Sequence, residues 1–279
     1  MMKRPPEWAP VELLQSPLFA PLQPILSRLD PNEFPSIAQC NDLLAALAPP
    51  ITVQRGIALR FVTPTHGHPA FENQYEPRCY LKGEVQMRSN NWHDLLNAVV
   101  WLTFPKAKAA LNARHYDALS GAPVLTTSQR GATRDMATLF DESGVVVACA
   151  KEELASLLRY FQWPMLFWQQ RAQVQACMEF YLFGHGLYEK ALQPYIGMTG
   201  QGLIVMVEQE FFNWPLARRL DYLDDKVAAY LDAPSHCRNT HELCPVPLLG
   251  IPGWSAENNC AEYYDNTRYF RTGRREWRQ

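Results

Sequence analysis

Residues 90–116, NNWHDLLNAVVWLTFPKAKAALNARHY, decide how this chain folds. Asn91 offers an N-cap side chain, and Asp94 puts a carboxylate in the first turn, where the helix dipole favours negative charge. The apolar run over 95–104 suits a buried helix and is far short of the ~20 residues a membrane span needs. Pro105 lacks an amide hydrogen and has a fixed φ. It therefore ends this helix and suits the first turn of a second, over 106–115. His93 and Asn97 are four apart, and Asn112 and His115 three apart, so each pair shares a helix face. A hairpin of the two helices would bring two imidazoles and two amides together.

Outward from this core the periodicity changes. Residues 36–47 have helical spacing and stop at Pro49-Pro50, residues 57–62 predict a short strand, and His66-Gly67-His68-Pro69 marks a loop. Residues 117–134, rich in Ser, Thr, Gly and Arg, predict a loop. Residues 136–140 and 145–149, around Asp141-Glu142-Ser143-Gly144, predict a β-hairpin. Helices are expected over 151–161, 164–172, 184–192 and, amphipathic, 215–231. Strands are expected over 174–182 and 203–207. The fold expected is α+β: a single globular domain, with several helices packed on a small, mostly antiparallel or mixed sheet. A Pro-rich arm over 1–34 precedes a main domain over 35–245, and a C-terminal arm over 246–279 packs on it.

Composition narrows the function classes. The 279 residues are 47% hydrophobic and 12% aromatic, enough for a large core and against disorder. A net charge of −2 points to neither nucleic acid nor an anionic membrane. Pro5, Pro6 and Pro10 follow Lys3-Arg4 where a signal peptide would need an apolar run. The seven cysteines form no C-x-x-C pair, which favours reduced, buried thiols. A cytoplasmic protein without membrane contact is expected. There is no Walker A motif, no G-x-G-x-x-G opening a helix, no G-x-S-x-G and no H-E-x-x-H.

Several constellations carry candidate chemistry. His93, Asp94, Asn97, Asn112 and His115 lie on the two central helices. The His93-Asp94 doublet is shared with metal-dependent HD phosphohydrolases, although the residues after it depart from that pattern. Arg134 and Asp135 enter an expected strand where apolar residues belong. His185 stands at a helix start, where the dipole keeps an imidazole neutral and able to ligate a metal or accept a proton, and Glu189 follows one turn later. Asp141-Glu142 reads as ordinary turn chemistry. Cys237, His241 and Cys244 offer thiolate and imidazole ligands within one loop, an alternative metal site of zinc type. His66 and His68 point the same way on an extended segment. Basic Lys106, Lys108, Arg114, Arg130 and Arg134, and Arg268, Arg271, Arg274, Arg275 and Arg278 among Tyr263, Tyr264, Tyr269, Phe270 and Trp277, suit phosphates and unpaired bases.

Three stretches together, NNWHDLLNAVVWLTFPKAKAALNARHY over 90–116, RGATRDMATLFDESGVVVACA over 130–150 and FGHGLYEKALQPYIGMTGQG over 183–202, resemble an uncharacterised bacterial family, domain of unknown function 3025. PLLGIPGW over 247–254 fits as well. The likeness runs from about residue 35 onward. It implies one structural unit whose polar signature is His93, Asp94, Asn97, Asn112, His115, Arg134, Asp135 and His185, and no particular reaction. The Cys237–Cys244 loop lies outside the matching stretches.

The leading expectation is an enzyme with a His/Asp site. His93, His115, Asp135 and His185 would hold a divalent metal that activates water, giving a hydrolase of phosphate or amide bonds. A metal-free acid–base pair is the variant of this reading. The alternatives are a nucleic-acid or nucleotide binder using the arginine-rich segments, and an interaction protein self-associating through the Pro-rich arm and the 215–231 helix.

Overall fold

The computed structural model describes residues 7–65, 67, 70–121 and 127–273, the side chains of 127–130 apart. His66, His68, Arg274, Arg275, Arg278 and Trp277 lie outside the described residues, as does the side chain of Arg130. The chain opens with α1 (Pro10–Gln15) and α2 (Gln23–Leu26), and a 3-10 stretch between them sends Leu18, Phe19 and Leu22 into the core. α3 (Ile37–Ala45) begins with a reciprocal capping box between Ser36 and Gln39. β1 (Arg60–Val62) and β2 (Glu84–Gln86) pair in parallel, with α4 (Tyr75–Lys82) as the crossover between them.

α5 (Trp92–Thr103) and α6 (Pro105–Ser120) form where the caps and Pro105 predict. Asn91 Oδ1 accepts the Asp94 amide at 3.0 Å. Trp92 and every residue from Leu95 to Leu102 are buried. A helix buried on all sides is the centre of a core, and truncating one of its leucines to Ala would cost about 2–5 kcal/mol.

α7 (Thr127–Ser143) corrects the expected loop and the first half of the expected hairpin. Met136, Ala137 and Phe140 follow helical spacing and are buried, while Arg134, Asp135 and Thr138 are exposed on the opposite side. Asp141-Glu142-Ser143 is the last turn of this helix, which runs directly into β3 (Gly144–Cys149). α8 (Glu152–Arg159), a π-helical turn and α9 (Arg171–Cys177) lead to β4 (Met178–Leu182). The strand expected over 174–182 is thus helix up to Cys177 and strand only beyond it. α10 (His185–Ala191), β5 (Thr199–Met206), α11 (Leu216–Asp232) and β6 (Cys244–Pro247) follow.

The main sheet has the order β4-β3-β5-β6. β3 pairs antiparallel with β4, Val147 opposite Phe180, and parallel with β5, Val147 opposite Ile204. β5 and β6 are antiparallel. Every residue of β3 is buried, so both faces are covered. That is why Val145-Val146-Val147 reads as a continuous apolar run. The architecture is α+β, helices packed on a mixed sheet, as the sequence indicates. β6 crosses residue 245, so the start of the expected C-terminal arm supplies a strand of the main sheet. No helix among the described residues is long and apolar enough to cross a membrane.

Candidate metal centre

The end of α7 and the start of α10 are pinned side by side, because the amides of Phe183 and Gly184 both donate to Gly144 O at 2.9 Å. The approach needs glycine. A Cβ on Gly184 would lie 2.4 Å from the Ser143 amide nitrogen, and one on Gly186 would lie 2.2 Å from Glu142 Oε2. α5 packs against α10 and brings His93, in its first turn, over the junction.

Three ligand atoms converge there. His93 Nε2 and His185 Nε2 are 3.0 Å apart, and Glu142 Oε1 lies 3.9 Å from the first and 3.7 Å from the second. A point in their plane equidistant from all three lies about 2.1 Å from each, inside the range of roughly 2.0–2.2 Å for zinc bonds to imidazole and carboxylate. The His185 side chain is only 7% exposed, whereas those of His93 and Glu142 are 31% and 45% exposed. The site is therefore walled on the protein side and open to solvent on the other.

Carboxylates stand behind both rings. Glu189 Oε2 accepts from His93 Nδ1 at 2.9 Å. An ionised carboxylate only accepts, so His93 Nδ1 carries the hydrogen of this bond. Behind His185, Asp141 Oδ1 lies 3.8 Å from Nδ1, beyond hydrogen-bond length, and Nδ1 is buried without a partner. Burial opposes ionisation of Asp141, but the Lys108 ammonium bonded to it, together with His185, holds the carboxyl far below its usual range. Lys108 also donates to Asn97 Oδ1 at 2.9 Å, and Asn97 Nδ2 donates to the Tyr75 hydroxyl oxygen at 2.6 Å.

The expected site residues divide into groups. His93 and His185 meet. His115 is buried in a second cluster with Glu76 and Asp141, whose ligand atoms all lie within 4.8 Å of one another. Asn112 sits beside it, donating to Glu76 O at 3.1 Å and Glu76 Oε2 at 2.5 Å, with its own Oδ1 buried and unpartnered. Asp141 lies between the two clusters, but that cluster is already served by the Lys108 ammonium. Asp94 is not gathered with the histidines: Arg88 donates to both its oxygens, at 2.7 and 2.8 Å. Asp135 and Arg134 are exposed, two turns before Asp141-Glu142 on α7, so neither joins the centre. Asn97 positions Lys108 instead of facing the histidines.

The cysteine loop is not gathered either. Among the described residues the two clusters above are those with metal-ligand spacing, and neither includes Cys237, His241 or Cys244. His241 is exposed, whereas Cys237 is buried, and that burial pushes its thiol up to about 12. The loop is held instead by Glu242, which accepts the amides of Cys237, Arg238 and Asn239 at 2.8, 2.6 and 3.2 Å. The basic segments are also partly used internally. Lys106 pairs with Asp225, Arg114 donates to Leu231 O and Ala233 O, and the rings of Tyr264, Tyr269 and Phe270 are buried, not free to stack on bases.

Glu142 and Glu189, which complete the cluster around His93, are the residues that sequence reasoning missed or misassigned. The spacing His185-x-x-x-Glu189 placed both on one helix face, yet Glu189 serves His93 across the helix interface. Glu142 read as a turn residue. No curated protein and no solved structure matches the chain. The match to a family described as Protein of unknown function (DUF3025) spans residues 59–274 and holds every residue of the centre; the chain belongs to that family.

Proposed function

We propose that this protein is a hydrolase that uses a divalent metal held by His93 Nε2, His185 Nε2 and Glu142 Oε1. The observation that supports this reading is the equidistant point about 2.1 Å from all three atoms, the bond length of a His–His–carboxylate zinc site. Three protein ligands and a solvent-open side match catalytic sites, which keep a position for water, whereas structural sites are closed. A cation there would lower the pKa of its bound water and polarise a carbonyl or phosphoryl oxygen. The protein's own part is to aim the ligands: Glu189 fixes the tautomer and orientation of His93.

The metal-free variant, with the two histidines as general acid and base, is less well supported. Nε2 atoms 3.0 Å apart leave no room for a reacting group between them. A reducing, bacterial cytoplasmic setting belongs to the same proposal. It is supported by seven free thiols, six of them buried.

The test is a panel of chromogenic phosphomonoesters, phosphodiesters and anilides offered to chelator-stripped and Zn2+- or Mn2+-restored protein. One class turned over only by the restored protein, and not by Glu142→Gln, is the expected result. Equal turnover by stripped and restored protein contradicts the reading, and so does no turnover of any class by protein with its metal bound.

A further inference from the structure

We propose that the cleft between the edge of the main sheet and the C-terminal segment binds a mononucleotide: a phosphate carried on a flat, hydrogen-bonding ring. The cleft measures about 420 Å³, within the range of small-molecule sites. Thr199 and Gln201 of β5 form its floor beside their β6 partners Pro247 and Pro245. Gly200 between them turns to the other face, where a Cβ would lie 3.0 Å from Leu187 of α10. The cleft is therefore on the face of the sheet away from α10, and the inference does not rest on the metal centre.

Phe161 provides a ring for stacking. It follows the C-cap of α8 and holds φ at 61°, the left-handed conformation that glycine normally supplies at this position. The Phe161 amide donates to Leu158 O at 3.2 Å and the Gln162 amide to Leu157 O at 2.9 Å, the helix-ending pattern that requires that conformation. A bulky residue is strained there, and strain of this kind gathers at ligand sites. It sets the ring at the wall of the cleft, against Gly273, where a Cβ would collide with it. Trp163 backs the ring edge to face, with centroids 5.6 Å apart.

Arg268 and Arg271 provide the charge. Both line the cleft, and among the described residues neither guanidinium meets a carboxylate. Arg271 spends only Nε, on Arg268 O at 3.1 Å, which leaves its two terminal nitrogens as a fork for phosphate. The segment that carries them is fixed in advance. Trp163 Nε1 donates to Arg271 O at 2.9 Å, and the Tyr269 hydroxyl donates to Met198 O at 2.9 Å. Gln201, whose side-chain amide has no protein partner among the described residues, offers a donor and an acceptor to the edge of a base. The prolines disfavour an extended peptide, because neither has an amide hydrogen to pair with a strand added at the β6 edge.

The test uses the full chain, chelator-stripped, in calorimetric titrations with adenosine, guanosine, cytidine and uridine 5′-monophosphates, and with inorganic phosphate and the parent nucleosides as the separate halves. At least one mononucleotide is expected to bind with a Kd below about 1 mM, and more tightly than either half by about tenfold or more. Arg268→Gln/Arg271→Gln changes two exposed side chains, so it should melt as wild type does and lose about tenfold or more in affinity. Phe161→Gly relieves the backbone and removes the ring, and should lose about fivefold or more. The arginine pair carries the decision if loss of the ring disturbs the fold. Absence of mononucleotide binding by wild type overturns the proposal, and so does binding by the arginine variant within about two-fold of wild type. Phosphate alone binding as tightly as the nucleotide overturns it too, because the ring would then contribute nothing. Binding lost in His93→Ala and kept in the arginine variant would move the nucleotide to the metal centre and overturn the assignment to this cleft.

Discussion

His93 and His185 meet edge to face, with ring centroids 4.4 Å apart and Nε2 atoms at 3.0 Å, although 92 residues separate them in sequence. Two imidazolium rings would repel at this distance, so the contact requires a bare nitrogen on at least one ring. Glu189 Oε2 accepts from His93 Nδ1 at 2.9 Å and so leaves Nε2 as the atom that faces His185. In the proposed centre the pair shares a cation, and Glu142, 3.9 and 3.7 Å from the two Nε2 atoms, would supply the charge that favours it.

Removing either imidazole should abolish metal binding with unequal effects on stability. His93→Ala, at a side chain 31% exposed, should unfold within about 1 kcal/mol of wild type. His185→Ala empties a buried position and should cost about 1–3 kcal/mol. Denaturant unfolding of both proteins, alongside metal content, checks this. Retained stoichiometric metal in either variant contradicts the ligand assignment.

The two glycines of the α7–α10 junction should respond differently to a methyl group. At Gly186 the Cβ meets the end of the flexible Glu142 side chain, 2.2 Å from Oε2. Gly186→Ala should fold while displacing Glu142, and lose Zn2+ affinity by about tenfold or more. At Gly184 the Cβ meets backbone, 2.4 to 2.6 Å from three atoms of residues 142–144, which cannot swing aside. Gly184→Ala should lose stability by about 3 kcal/mol or more. Thermal melts and chelator competition on the two variants separate the outcomes.

How much of this was legible follows from which signals are local. Asn91 and Pro105 act on their own turns, so α5 and α6 could be read directly. Asp141-Glu142-Ser143-Gly144 misled because the residues that end a helix and those that make a hairpin loop are the same types. Met136 and Phe140, four apart, were the available sign of a helix. His93 and His185 stood out as polar residues beside apolar runs. Which carboxylate joins which imidazole depends on the α5–α10 and α7–α10 contacts, and those contacts leave no trace in local spacing. Asp135 was selected because it stood in an expected apolar strand, and Glu142 was set aside as part of an expected turn; both lie on α7, seven residues apart, and only the later one reaches the junction.

The small parallel pair offers a pH test away from the centre. Burial opposes ionisation of Glu84, but hydrogen bonds and charge from Arg78 and Arg60 outweigh it and hold the carboxyl below its usual range. A lowered folded pKa adds stability above the unfolded value near 4.5, and that stability is lost as pH falls through the folded pKa. Glu84→Gln should therefore be less stable than wild type by about 1.5–3 kcal/mol at pH 7. The gap should begin to narrow as pH falls below 4.5 and should close only below the folded pKa. Urea unfolding of both proteins from pH 7 down to about pH 2 checks it; a gap that does not narrow over that range contradicts the charge assignment.

The cysteine loop should be indifferent to metal. Cys237 is fully buried with its thiol pushed up to about 12, and Glu242 organises the loop through backbone amides. Cys237→Ala should keep its full metal content by elemental analysis. Loss of metal from this variant alone would move the site to the loop.

The most direct measurement is calorimetric titration of chelator-stripped protein with Zn2+, run on wild type, His93→Ala and Glu142→Gln. One ion per wild-type chain, with binding abolished in the first variant and weakened at least tenfold in the second, is the result expected of a centre built from His93, His185 and Glu142. No stoichiometric binding by wild type, or equal binding by all three proteins, would contradict it.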